Sequence, residues 1–221
     1  MILKVKPIFL ILFIFISYLE STDIEEIIVT GSLINNSELD SSPIEIITQE
    51  NFENLNISTI AEISKYITAS SGSHFQANTL DGVDQGMSSV TLRGLDHAST
   101  LLLINSKRQT FAGTPSNDGE GYIDVNIIPE IALQKIEVLK EGATSTYGSD
   151  AVAGVVNFFT YKNFDGVKLK INRQTTSNYN QNDNSIGLLY GSNYKKGNYV
   201  LGINILDRSS LSASEIPGIA E

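Results

Sequence analysis

The sequence predicts a small α+β domain, with a mixed sheet and short helices, followed by antiparallel strands of the kind that open a transmembrane β-barrel. Three observations predict this order. An apolar run near the amino terminus indicates export, a central stretch interleaves short strands with helices, and the last part alternates apolar and polar residues. The expected segments are 1–21 for a signal peptide, 22–42 for a tether, 43–164 for the α+β domain and 165–221 for the strands.

The signal segment has a basic start and an apolar centre. Lys4 and Lys6 precede the unbroken apolar run Ile8–Ile16, and polarity returns at Ser17. This is the pattern of a secretory signal, and cleavage is expected near Ser21. An uncleaved anchor is the weaker alternative, because the run is well short of the roughly 20 apolar residues that a spanning helix needs.

The tether carries one β-prone stub. Its residues are Glu26, Ile27, Ile28, Val29 and Thr30, and a polar stretch follows. A short apolar stub between linkers has no surface to bury itself against, so strand addition to a partner is the binding mode that suits it. A disordered mature terminus explains the same composition equally well.

The central segment, from Pro43 onward, reads as compact α+β. Thr48 is expected to cap a first helix and Ser58 a second, whose Ile60, Ile63 and Ile67 share one side. Pro129 suits the start of a short helical turn, where its missing N–H costs little. The predicted strands of this domain are 44–47, 100–104, 135–139 and 155–160.

The last segment has the period of exposed strands. Residues 167–172, 186–194 and 199–206 alternate apolar with polar or small residues, separated by a long polar loop and then a short turn at 195–198. Tyr194 and Tyr199 flank that turn, where an aromatic girdle would lie at a membrane interface. Strand length and loop asymmetry favour an outer-membrane barrel, although a soluble antiparallel sheet with one wet face has the same period.

Composition excludes several classes of function. The 221 residues carry 15 Lys and Arg against 25 Asp and Glu, a formal net charge of -10, so nucleic acid is not expected as the main partner. The absence of Cys excludes disulfides, thiolate metal sites and a catalytic cysteine. His74 and His97 have no partner at metal-ligand spacing, so no metal or cofactor is expected. No convincing catalytic set is present, and an enzyme is not expected.

Four motifs, in order, carry a family resemblance. They are Thr91–Leu95, Thr100–Arg108, Ile128–Gly142 and Tyr147–Asn157. From 25 to about 164 the chain resembles the plug domain of TonB-dependent outer-membrane receptors. The resemblance implies a plug that closes a large barrel in the outer membrane, an unidentified small-molecule ligand, and energised import through TonB. It also implies that Glu26 to Thr30 is the TonB box that pairs with TonB.

The same resemblance selects candidate site residues. The plug motif and its contacts with the barrel are expected at Arg93, Gly94, Glu137, Glu141, Gly142, Tyr147, Gly148, Gly154 and Asn157. Arg93 with Glu137 and Glu141 forms a hypothetical charged cluster between plug and barrel, because an arginine fork matches carboxylates. The plainer alternatives are a solvated charge at Arg93 and simple turn punctuation at the glycines.

The length sets a limit on the barrel. A barrel that holds a plug needs about 22 strands, whereas the stretch after Phe164 holds about three. We therefore expect the amino-terminal piece of a longer receptor, with a degenerate short product as the alternative. A secreted or periplasmic β-rich binding or adhesion module is the competing function. Nothing in the sequence supports a periplasmic hydrolase.

Overall fold

The computed structural model describes residues 44–55, 59–64, 66–70, 88–113, 115, 119–176 and 181–209. The strands are β1 (Ile44–Thr48), β2 (Thr100–Ile104), β3 (Lys107–Arg108), β4 (Leu133–Leu139), β5 (Gly154–Thr160), β6 (Gly166–Thr175), β7 (Asn182–Tyr194) and β8 (Gly197–Arg208). The α-helices are α1 (Gln49–Asn54), α2 (Ile60–Ile63) and α3 (Thr144–Tyr147). Short 3-10 turns lie at Thr68–Ser70, His97–Ser99, Val125–Ile127, Glu130–Ala132 and Ser149–Ala151.

The first five strands form one mixed sheet in the order β1-β4-β5-β2-β3. β2 and β5 run parallel, with Leu101 opposite Val155, while the other neighbours are antiparallel. The parallel pair is possible because a long connection, which contains β3, β4 and α3, separates β2 from β5 in sequence. The predicted mixed sheet is therefore confirmed.

The main hydrophobic core lies between one face of this sheet and helices α1 and α2. Ile136 and Phe158 point from the sheet into this core, where they meet Phe52 of α1 and Ile60 and Ile63 of α2. Each of these side chains is at most 2% exposed, and burying one such side chain stabilises the fold by about 1.5–3 kcal/mol. The predicted apolar side of the second helix is thus the side that faces the core.

The opposite face of the sheet carries a smaller core. Leu101, Leu103 and Val155 pack there against Ala143 and Ala151, which flank α3. Small residues suit this position because the α3 region crosses close above the strands. The glycine- and alanine-rich run after β4 therefore covers the second face of the sheet.

The second sheet is antiparallel, in the order β6-β7-β8. One face exposes apolar side chains, among them Leu169 (62% exposed), Ile171 (70%) and Ile205 (63%). The other face carries polar or small residues together with the buried Leu189, and it packs on the first sheet's connecting segments. The predicted alternation is confirmed on all three strands.

None of the helices in the described residues is long and apolar enough to cross a membrane.

The starts of the helices and helical turns differ from the prediction at one residue and agree with it at two. Thr59, and not the predicted Ser58, is the N-cap of α2, and Ser58 lies outside the described residues. Thr48 is the N-cap residue of α1 as predicted, and its backbone N–H donates to the Asn51 side-chain oxygen at 2.9 Å. Pro129 immediately precedes the turn Glu130–Ala132, which confirms the predicted helical start.

Candidate functional site: the plug motifs and the strand wall

The Arg93–Gly94 pair forms a tight turn. Both residues have positive φ, 61° and 65°, and the Leu95 N–H donates to the Leu92 carbonyl at 3.1 Å. Glycine accepts this backbone freely, whereas Arg93 does so at a cost. The Arg93 side chain is exposed, and its guanidinium donates to the Lys140 carbonyl. The turn thereby fixes this arginine beside the end of β4.

Glu137 occupies a different environment from Arg93. Its side chain is fully buried in the centre of the sheet, where the Lys135 ammonium lies 2.8 Å from its carboxylate. Lys135 also lies 5.1 Å above the centre of the Phe159 ring, a cation–π contact. In the structure Glu137 therefore pairs with Lys135 within the first sheet. Its expected pairing with Arg93 stays a prediction.

Glu141 and Gly142 are exposed at the bend after β4. Glu141 follows Lys140, whose carbonyl accepts a hydrogen bond from the Arg93 guanidinium. Arg93 and Glu141, two members of the expected charged cluster, therefore lie near each other in the fold. A side chain at Gly142 would place its Cβ 3.1 Å from the Val152 carbonyl, which is tight.

Gly154 is the glycine that the fold requires most strictly. Its φ is +136°, and a Cβ there would lie 2.3 Å from the Leu139 carbonyl oxygen and 2.9 Å from Leu92. L-residues rarely adopt this backbone, and the clash is with main chain that cannot rotate away. The reason for this predicted glycine is therefore the close approach of β5 to β4.

Asn157 is buried and holds the β2–β3 turn against β5. Its side-chain oxygen accepts from the Ser106 N–H at 3.0 Å, and its amide donates to the Ser106 hydroxyl at 3.2 Å. Asn105 makes a parallel pair of bonds with Thr160, at 2.9 and 3.0 Å. Because Asn105 and Ser106 both have positive φ, this clamp stabilises a strained turn.

Tyr147 and Gly148 belong to a site that includes Arg108, which sequence analysis did not select as a site residue. The Arg108 guanidinium donates to the Tyr147 carbonyl and forms an ion pair with Asp150. This guanidinium, and secondarily the Ser149 hydroxyl, hold the pKa of the Asp150 carboxyl below its usual value. The φ of Gly148 is +87°, which turns the chain so that both groups face Arg108.

Of the two histidines, His97 is the one that falls within the described residues. His97 is buried beside the Tyr122 ring, whose centre is 5.9 Å away, and His74 lies outside the described residues. Across the described part of the chain, no three His, Asp or Glu side chains are grouped to hold a metal. The predicted signal segment and the predicted box residues Glu26 to Thr30 also lie outside the described residues.

Two ion pairs join the α+β domain, the plug of the family resemblance, to the second sheet. We call this sheet, β6–β8, the strand wall, and sequence analysis missed both ion pairs. Lys168 pairs with Glu53 of α1, and the Lys170 ammonium lies 2.9 Å from the Glu130 carboxylate. The side chain of Glu130 is only 8% exposed, so this second pair is well shielded from water. The strict alternation of β6 was the signal that could have found them, because it puts both lysines on the face opposite the apolar residues.

An apolar contact accompanies these ion pairs. Ile131 and Ala132 pack on Leu189 of β7, with Tyr161 and Phe164 at the border of the cluster. Burial, together with the nearby carboxylates of Glu53 and Glu130, raises the pKa of Tyr161 to about 12. The plug therefore packs on the strand wall through a buried apolar cluster and two ion pairs.

Comparison with known proteins agrees with this architecture. The family model described as TonB-dependent Receptor Plug Domain matches residues 38–155, more than half of the 221 residues. This match confirms the predicted fold class and the outer-membrane localisation.

Three relatives illustrate the match. The iron-regulated outer membrane virulence protein of Vibrio cholerae is 39% identical over 74 residues, covering 33% of this chain and 11% of its own length. The vitamin B12 transporter BtuB of Vibrio vulnificus is 28% identical over 169 residues, covering 75% of this chain and 24% of its own length. The crystal structure of the siderophore receptor PirA from Acinetobacter baumannii shares the fold with a TM-score of 0.53 at 24% identity, covering 74% of this chain and 24% of that one. The chain thus spans a quarter or less of these relatives, and through its matched plug region it belongs to the TonB-dependent receptor plug domain family.

Proposed function

We propose that this chain supplies the plug and the opening barrel strands of an outer-membrane receptor that imports a scarce ligand with energy delivered through TonB. The observation that carries the proposal is the packing of the plug, through the turn Glu130–Ala132, on one face of β6–β8, while the other face exposes apolar side chains. A sheet with a lipid-facing surface and a plug on its inner face is one wall of a plugged barrel.

The two faces of β6–β8 support a membrane wall. The outward side chains include Val167, Leu169, Ile171, Leu201 and Ile203, all between 46% and 70% exposed. A row of this kind in water would be a large apolar patch, which soluble proteins rarely expose. In the alternative function, a β-rich binding module in water, nothing would cover this apolar surface. In a membrane wall, lipid covers it.

The names of the relatives suggest only a broad class of ligand for this chain. Their names include an iron-regulated protein, a siderophore receptor and a vitamin B12 transporter. We extend to this chain the uptake of a scarce small-molecule ligand. Gating by a plug, and not catalysis, is the role that this implies.

TonB coupling is proposed to use Glu26 to Thr30, which the 13 residues 31–43 separate from β1. A β-prone stub on a polar tether suits strand addition, in which backbone hydrogen bonds supply the affinity. β1 is an edge strand that pairs only with β4 in the described sheet, so force on the tether reaches the plug at the edge of its sheet.

The test is deletion of Glu26 to Thr30 in the complete reading frame. We expect uptake to be lost while ligand binding at the cell surface and the amount of receptor in the outer membrane stay unchanged. The matched control deletes the five residues Ser32 to Asn36 from the same tether, and uptake should persist. Unchanged uptake after the box deletion would favour the binding module without energy coupling.

The charged plug residues remain proposed contacts with the barrel. Arg93 and Glu141 are exposed near the end of β4, so both side chains are accessible to the further barrel strands of the proposed receptor. Neutral substitutions, Arg93→Gln and Glu141→Gln, should loosen the plug and raise the sensitivity of cells to detergent. Lys107→Gln, which is also exposed, is the matched control. Unchanged detergent sensitivity in both plug variants would remove these residues from the proposed interface.

A further inference from the structure

Three glycines lie on the plug-facing side of the strand wall. Gly187 and Gly191 belong to β7 and Gly202 to β8. Glycine weakens a strand interior, because it costs backbone entropy and leaves no side chain to pack. Three of them on one face of neighbouring strands therefore call for a structural reason.

The reason is the close approach of the plug. A Cβ at Gly187 would lie 3.1 Å from the Ile131 Cβ, and one at Gly202 would lie 2.8 Å from the Ala132 Cβ. A Cβ at Gly191 would lie 2.4 Å from the Phe164 carbonyl oxygen. Gly187 and Gly202 thus leave room for the plug at the turn Glu130–Ala132, and Gly191 leaves room for the segment that links β5 to β6.

Charge completes this surface. Lys168 and Lys170 are on the plug-facing side of β6, and their partners Glu53 and Glu130 are both on the plug. We call the surface formed by Lys168, Lys170, Gly187, Gly191 and Gly202, with Leu189 at its centre, the plug seat. It is complementary to the plug in shape and in charge.

On the basis of the proposed function, in which further barrel strands follow β8, we propose that the plug seat and the plug dock as one unit before, and independently of, those strands. Every residue of the seat lies within β6–β8, which follow the plug directly in sequence: β5 ends at Thr160 and β6 begins at Gly166. The two ion pairs join residues 115 and 40 positions apart, and a contact of the same plug residues with a strand beyond β8 would close a longer loop at a higher entropic cost. In the described sheet β6 and β8 each pair only with β7, so the seat is complete while both sheet edges are still open. The plug then enters the membrane already attached to its wall.

The absence of Cys from the chain allows a direct test. The variant Ile131→Cys with Gly187→Cys joins plug and seat, and the Cβ separation must widen by only a few tenths of an ångström to reach the disulfide range of about 3.5–4.5 Å. The matched control is Ile131→Cys with Leu188→Cys, because Leu188 is the next residue but lies on the opposite, exposed face. The 221-residue chain is refolded from urea into detergent micelles with a glutathione couple, and cross-linking is followed on non-reducing gels.

We expect the seat pair to cross-link at least about tenfold faster than the control, because only the seat pair faces the plug. Equal rates, or no cross-link in the seat pair, would overturn independent docking. A second comparison avoids any loss of stability caused by replacing Ile131. Ala132→Cys with Gly202→Cys should also cross-link faster than its control, Ala132→Cys with Ile203→Cys. The readout is a covalent bond and involves neither ligand nor TonB, so a failure of the proposed uptake function leaves this result unchanged.

Discussion

Alanine at Gly154 is the sharpest perturbation of the plug that the structure offers. Gly154 begins β5, its φ is +136°, and an added Cβ would lie 2.3 Å from the Leu139 carbonyl oxygen. Neither the strain nor the clash is relieved by a rotamer change, because both involve main chain. Relief requires β5 to move away from β4, and these strands are neighbours at the centre of the sheet.

The expected loss of stability has two parts. A residue held in a sparsely populated backbone region costs about 1–3 kcal/mol. Overpacking in a closed core costs about another 1–3 kcal/mol, so Gly154→Ala should destabilise the plug by about 2–6 kcal/mol. With a typical urea slope of about 2 kcal/mol per molar, a loss of about 4 kcal/mol lowers the unfolding midpoint by about 2 M.

Two other glycines separate the contributions. Gly94 has a φ of +65° but nothing within 4 Å of an added Cβ, so Gly94→Ala should cost only the strain, about 1–2 kcal/mol. Gly113 has open space and no positive φ, and Gly113→Ala should stay within about 0.5 kcal/mol of the parent. Urea unfolding followed by circular dichroism measures all three. If the midpoint of Gly154→Ala equals that of Gly113→Ala, the close approach of β5 to β4 is not what requires glycine there.

Three further substitutions test individual contacts. Arg108 lowers the pKa of Asp150 below its ordinary 3.8, so the ion pair stabilises the fold above pH 3.8, and this stabilisation is lost as the pH falls through the lowered pKa. Asp150→Asn should remove this acid-dependent part of the stability. Parallel curves of stability against pH for the parent and the variant would contradict the prediction. Asn157→Ala leaves the Ser106 N–H without its acceptor and should cost about 1–3 kcal/mol, with faster hydrogen exchange at that amide as the specific sign; an unchanged exchange rate would count against the clamp. Lys170→Met leaves a buried carboxylate uncompensated and should lower the free energy of unfolding by about 1–3 kcal/mol at pH 7, whereas an unchanged value would show that the pair is energetically idle.

Periodicity and turn chemistry were sufficient to predict most of the fold. The alternation in 167–172 and 199–206 predicted strands with one apolar face, and the structure has that face exposed on β6 and β8. Thr48 and Pro129 marked element starts correctly because capping and the missing proline N–H act within a few residues. Such signals are local, so they can be recognised in the sequence without knowledge of tertiary contacts.

The contacts between plug and wall were not predicted, for a physical reason. Glu53 and Lys168 are 115 residues apart, and nothing local to either one specifies the other. Arg108 and Asp150 are likewise 42 residues apart and meet only because β2 and β5 pair side by side. Motif resemblance selected Glu137 as a special residue, but its partner Lys135 is two positions away on the same strand. Sequence therefore located the charged residues better than it identified their partners.

β8 and its neighbours are proposed to form a membrane wall, with lipid on one side and the plug on the other. Spin labels placed singly along residues 200–205, in the complete receptor reconstituted in lipid vesicles, test this arrangement through their accessibility to oxygen dissolved in the bilayer. We expect a period of two, with high oxygen accessibility at Leu201, Ile203 and Ile205 and low values at Val200 and Asn204, because alternate side chains of a strand point to opposite faces. A flat profile, or the opposite phase, would contradict the placement of the plug on this wall.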